Sequence, residues 1–258
     1  MKFKVFIISI FYLLISDQSI LSQEQSYTDL LVYYVDEDYE KCIKKAEKYL
    51  SKDEYRNDPL PLLYSAMSYY EMSRDNKYAE DYPKAYRNCL NYLSKYRRKD
   101  EDYLHKRDAQ PFIEKIKGVV AEEIENYKLD GTARSDRKII SLLKKLKKID
   151  PDDSGIKLML GVYYVKSKNR SEGREYITKG TEGIMTIGDS IVFGELTKTQ
   201  QLFFKEGIVA YYNLKKDRNP EEAKEVLLLG EDFFAEDRED CYIENRADFL
   251  KIYKNLEG

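Results

Sequence analysis

Two runs of carboxylates are the first candidates for chemistry: Glu122, Glu123 and Glu125, and Glu236, Asp237, Glu239 and Asp240. Two carboxyl groups facing each other about 5 to 9.5 Å apart hydrolyse glycosidic bonds, one as acid and the other as nucleophile or base. The runs therefore open one reading, a helical carbohydrate-active enzyme working on envelope polysaccharide with paired carboxylates. No other catalytic set can be written. His105 is the only histidine, in the charged stretch Asp102-Tyr103-Leu104-His105-Lys106-Arg107. One histidine and the scattered Cys42, Cys89 and Cys241 supply neither a zinc ligand set nor a Ser-His-Asp or Cys-His nucleophile. Gly131 and Gly183 read as turn glycines, and no phosphate-cradling glycine motif is present. The acidic runs themselves read as exposed helix faces and loops. On these grounds no catalytic residue, metal, cofactor or small-molecule substrate is expected.

The elements that would carry such residues are helices. Charged residues make up 35% of the 258, yet the net charge is only −3, a mixed and well-solvated surface without the basic footprint of a nucleic-acid binder. Tyr (24) and Phe (10) are plentiful and Trp is absent; disordered chains are poor in aromatics, so a folded protein is expected. Long runs of Leu, Ile, Lys, Glu, Ala and Tyr lie between the six prolines, with no alternating Val/Thr stretch to compete, so the class is all-α. The three cysteines read as buried free thiols in a chain large enough to fold without staples.

The N-terminus follows its own pattern. Lys2 and Lys4 precede a mostly apolar run over residues 5–15, and a polar stretch over 16–26 follows, the order of a secretory signal peptide. As a helix the run spans roughly 16 Å, against about 30 Å of bilayer hydrocarbon. Cleavage after Ser22 would leave Gln23 as the mature start, giving a signal peptide at 1–22 and one helical domain at 23–258. Retention of residues 5–21 as a membrane tether is the other outcome. The expected location is outside the cytoplasm, in the periplasm or at the cell envelope.

Within the mature chain, Leu160-Gly161-Val162-Tyr163-Tyr164 is followed by Gly173, Ile177 and Gly180. Ile139, Leu143 and Leu146 carry the same four-and-three spacing 34 residues upstream. Residues at that spacing share one helix face. The same triplet recurs as Cys42/Ala46/Tyr49, Ala85/Cys89/Tyr92 and Ala223/Leu227/Gly230. Residues 39–52 align without a gap on 82–95, with Tyr, Lys, Tyr, Leu, Ser and Lys recurring. Further such helices are expected at 135–149, ended by Asp150-Pro151, at 171–181, and from Asn219-Pro220-Glu221-Glu222 onward. Tyr doublets at 33–34, 69–70, 163–164 and 211–212 mark the partner helices.

This pattern resembles the tetratricopeptide repeat, whose signature is a Leu-Gly pair, a Tyr, then small, bulky and small residues, then Pro. Pro151, Leu160, Gly161, Tyr164, Gly173, Ile177 and Gly180 carry the match; the other units are degenerate. Between the five second helices the steps are 43, 54, 34 and 50 residues, which places insertions at 73–81, 97–107, 130–134 and 185–198. The resemblance implies a right-handed α-solenoid of about five helical hairpins, with residues 239–256 as a capping helix presenting Tyr242, Ala247, Leu250 and Tyr253. It also implies a ligand along the concave surface of the first helices. The corresponding positions are Leu63, Met67, Tyr70, Leu158, Val162, Phe204, Ile208 and Tyr211. They lack the Lys/Asn clamp with which some members hold a terminal carboxylate. An apolar, aromatic groove fits an extended or helical segment of another protein, although a one-residue change of register would turn the same residues into core.

The expected function is thus a non-catalytic adaptor or scaffold holding a protein or peptide segment, such as part of a secretion or envelope assembly. Nucleic acid is not expected, and membrane association would come only through the partner. Charge is polarised along the chain: Lys138, Lys144, Lys145, Lys147 and Lys148 fall on one helix, while residues 219–258 hold twelve acidic and five basic side chains. Such polarity steers a partner or simply solvates the outer face. Two modification motifs, Asn169-Arg170-Ser171 and Asp189-Ser190-Ile191, complete the reading.

Overall fold

A computed structural model describes residues 27–188, 191–235 and 241–257. The segment read as a signal peptide, Asp189-Ser190 and the acidic run at 236–240 lie outside them. The described residues are 79% helical and contain no strand. Eleven helices follow one another: α1 (Thr28–Val35), α2 (Tyr39–Leu50), α3 (Leu60–Arg74), α4 (Ala85–Lys99), α5 (Lys106–Asp130), α6 (Ala133–Ile149), α7 (Ser154–Lys166), α8 (Arg170–Gly188), α9 (Lys198–Lys215), α10 (Pro220–Phe233) and α11 (Ile243–Glu257). Short 3₁₀ turns at Asn76–Tyr78 and Ile191–Glu195 interrupt the series.

Sequence neighbours pack as pairs: α1 with α2, α3 with α4, α5 with α6, α7 with α8 and α9 with α10. Pairs then touch through alternate helices, α1 on α3, α4 on α6, α7 on α9, α8 on α10 and α9 on α11. One contact departs from nearest-neighbour stacking. The 25-residue α5 reaches α9, past the pair between them.

The caps explain the boundaries. Thr132 accepts from the Ser135 N–H at 3.2 Å to open α6, and Asp153 accepts from Ile156 N–H at 2.9 Å to open α7. Thr197 and Gln200 close a reciprocal capping box at α9, with bonds of 3.3 and 3.0 Å. Asn219 caps α10 with Pro220 as its first residue, as the sequence indicated. Gly131, at φ +61°, ends α5 in the left-handed conformation. Gly183, read as a turn residue, lies inside α8, because that helix continues to Gly188 instead of ending near 181.

The fifteen residues of the five triplets are buried or half-buried without exception. In α6, Ile139, Leu143, Leu146 and Ile149 face inward while Lys144 and Lys148 stay out, an ordinary amphipathic stripe. The α7–α8 pair is closer. A Cβ on Gly161 would lie 2.6 Å from the Ile177 backbone nitrogen, and one on Gly180 would lie 2.7 Å from the backbone nitrogen of Leu158. Glycine is what lets these two helices approach.

The buried side chains form two large clusters that meet on α7. Ile156, Met159, Leu160, Tyr163 and Tyr164 belong to a cluster running back to Ile43, while Leu158 and Val162 belong to one running on to Phe249. In the second, Phe204 sits edge-on to Phe233 at 4.6 Å, and Phe234 stacks on Phe249 at 4.9 Å. In α11 Asn245 and Phe249 are buried, while Ala247, and Tyr242 just before the helix, both expected on the shielding face, are exposed. Cys42, Cys89 and Cys241 are free and buried, and burial raises the thiol pKa of Cys42 and Cys89.

Candidate functional site

A cleft of about 730 Å³ opens between α5, α9 and α11, with α7 beneath it. Each wall is one helical stripe. From α5 come Gly118, Ala121, Glu122, Ile124 and Glu125; from α9, Lys198, Thr199, Leu202, Phe203, Lys205 and Glu206; from α11, Asn245, Asp248, Lys251 and Ile252. Met159 of α7 completes the floor. Ala121, Ile124, Met159, Leu202, Phe203 and Ile252 make that floor apolar, and the rim is charged. A hollow of about 320 Å³ between α9, α10 and α11 is smaller and has no converging carboxylates.

The charges of the cleft are joined. Lys128 Nζ donates to Glu206 Oε2 at 2.5 Å and to Glu125 Oε1 at 2.6 Å. Lys205, with only 4% of its side chain exposed, lies 3.3 Å from Glu206 Oε1 and 3.1 Å from Asp248 Oδ2. Burial pushes the Glu206 carboxyl upward, but Lys128 and Lys205 outweigh it and hold the group below the ordinary glutamate range. Lys128 is held above the ordinary lysine value, its burial outweighed by Glu206 and Glu125. The edge is fixed by Thr199, which donates to Glu114 at 2.6 Å, and by Asn245, which donates to the Lys198 carbonyl at 3.0 Å. Lys198 also pairs with Glu244 across the α9–α11 gap.

Behind the cleft lies a buried ionic triad. The Lys117 side chain is wholly buried, with Nζ 2.7 Å from Asp150 Oδ2 and 2.9 Å from Asp153 Oδ2 and about 5.9 Å from the centre of the Phe203 ring. Burial alone would lower the Lys117 pKa; Asp153 and Asp150 reverse that and keep it charged. Burial raises the Asp153 carboxyl, against the pull of Lys117. The triad ties the middle of α5 to the α6–α7 turn that begins the tightly packed pair.

The eight groove positions expected from the sequence fall elsewhere. Leu63 and Tyr70 are buried in the first cluster; Leu158, Val162, Phe204, Ile208 and Tyr211 are buried in the second; only Met67 is half-exposed. The cleft is lined by the residues next to two of these, Met159 beside Leu158 and Phe203 beside Phe204, because α9 seats on α7 and α10 with the neighbouring stripe. Of the acidic run in α5, Glu122 and Glu125 reach the cleft. His105 lies at the start of α5, where its backbone N–H donates to Asp100. Sequence reasoning missed Lys117, Lys128, Lys205 and Glu206. A signal was present for the last two: adjacent charges inside the apolar run from Leu202 to Ile208.

No family model, curated protein or solved structure matches this chain. Among the described residues, no group of three or more His, Cys, Asp or Glu is placed to hold a metal ion, and no helix is long and apolar enough to cross a membrane.

Proposed function

We propose that this chain is an exported, non-catalytic adaptor of the periplasm or cell envelope, built as a tetratricopeptide-like solenoid, that holds a segment of another protein in the cleft between α5, α9 and α11. The observation that carries the proposal is the cleft itself, with its apolar floor and a rim of carboxylates and lysines. A floor of that kind takes two or three apolar side chains of a helical or extended segment, and the rim selects for charge. Sequential helix pairs and the glycine-mediated α7–α8 contact support the repeat reading. The polysaccharide-hydrolase reading needs a carboxyl held protonated in the cleft, and Glu206 is biased the opposite way by its two lysines.

A photo-crosslinkable residue at Glu122 or Leu202, each lining the cleft, tests the idea in envelope fractions against the same residue at Lys179 on α8. Discrete adducts from the two cleft positions and none from Lys179 are expected. A protein that runs alone at native levels under several crosslinkers would end the adaptor proposal. The mature N-terminus, read by mass spectrometry, checks export separately, with Gln23 as the expected first residue.

A further inference from the structure

The outer surface made by α4 and α6 carries a second feature, independent of the cleft. In a chain of net charge −3, these two touching helices hold twelve Lys and Arg against one acidic residue, Asp136. Between them runs a groove of about 490 Å³, where Lys95, Arg98, Lys145, Lys147 and Lys148 converge beside Asn91. None of these five cations forms an ion pair with a described carboxylate. Lys145 instead donates to the Asn91 side-chain oxygen, Lys147 donates to the Tyr176 hydroxyl at 2.9 Å, and Lys95 lies over the Tyr92 ring at 4.9 Å. The environment of Lys145 is accordingly unfavourable for its charge: burial, then Lys148 and Arg87, lower its pKa.

We infer that the α4–α6 groove is a binding site for a soluble oligoanion with clustered phosphate groups. Two observations select this class. Five cations converge on one groove, enough positive charge for an anion carrying several negative groups, and the four lysine ammoniums among them meet phosphate oxygens as point charges. Neither helix presents an exposed large hydrophobic side chain that would enter a bilayer or seat an apolar peptide anchor.

Calorimetry of the mature chain with sodium tripolyphosphate at low salt tests the assignment. Saturable binding is expected, weakening steeply as salt rises, and weaker still by at least about tenfold in K145Q/K148Q, which removes two charge-assisted contacts. Because Lys145 is half-buried, K95Q/K148Q serves as a second variant at exposed positions; it should unfold at the wild-type temperature and also lose affinity. No binding beyond that of orthophosphate, or binding unchanged in both variants, would overturn the inference. So would an equally tight fit of an octaglutamate peptide. Binding to vesicles of phosphatidylcholine with phosphatidylglycerol that tripolyphosphate does not displace would also reject a soluble ligand.

Discussion

Replacing Lys117 by alanine is the sharpest perturbation of the interior. Its side chain is fully buried, and its two partners, Asp150 and Asp153, are 12% and 2% exposed. Removing one member of such a pair leaves charge uncompensated and costs about 3–5 kcal/mol. Against a total stability of roughly 5–15 kcal/mol that is a large fraction. For a chain of this size it corresponds to a fall in melting temperature of about 6–20 °C. Urea unfolding followed by circular dichroism measures the loss, and a midpoint that moves with an unchanged slope shows that stability alone has altered. The pH dependence has a definite sign. Lys117 is raised above its ordinary 10.5, so its stabilisation is complete below that value and is lost as pH rises through the folded value. In K117A, Asp153 keeps a raised pKa without its counter-ion, so the deficit should shrink as pH falls and the carboxyl protonates. The combination K117M/D150N/D153N removes all three charges, keeps an asparagine at the α7 cap, and should recover most of the loss. A K117A variant within about 1 kcal/mol of wild type, the range expected of a surface ion pair, would refute the buried-triad account.

Other outcomes follow from the packing. Gly180→Ala forces α7 and α8 apart and should cost about 1–3 kcal/mol, whereas Gly118→Ala, with nothing within 4 Å of the new methyl, should stabilise α5 by about 0.5–1 kcal/mol; thermal melts of the two should move oppositely. Phe204→Ala opens the aromatic cluster between α9, α10 and α11 and should cost about 3–5 kcal/mol in denaturant titration, with cleft residues untouched. Burial raises the pKa of many tyrosines, Tyr34 to about 12 and Tyr86, Tyr92, Tyr96 and Tyr211 further, so the stability they contribute is complete below 10 and is lost as pH rises through those values. Absorbance at 295 nm should therefore rise together with loss of helix, and a smooth titration of all 24 tyrosines near pH 10 with ellipticity intact would contradict it.

Helix positions were readable because local chemistry and packing agree. The four-and-three triplets encode a face, and Asn219-Pro220 and Asp150-Pro151 encode ends that no tertiary contact overrides. The groove was harder. Residues 158 and 159, or 203 and 204, are all apolar, and on a helix buried from several sides periodicity does not say which stripe faces a cleft. That depends on the azimuth at which α5 and α11 arrive, a property of long-range packing. α5 itself lacks the Tyr doublet that marks the other first helices, so its 25 residues and its contact with α9 left no periodic trace. Lys117 was hidden for a different reason: a lysine in the stretch Glu114-Lys115-Ile116-Lys117 looks solvated until its two aspartates, 33 and 36 residues away, fold onto it.

α7 belongs to both large clusters, with ten of its thirteen residues buried, so neither half of the molecule has a complete interior without it. Cutting the chain at the α6–α7 turn would separate the first cluster from its α7 wall; cutting after α7 would part α9 from the helix on which it seats. The slowest amide hydrogen exchange should accordingly lie in the central α7, where opening requires both sides to unfold together. A chain assembled from modular pairs would in this way melt as one cooperative body, with the glycine contacts of α7 as the keystone.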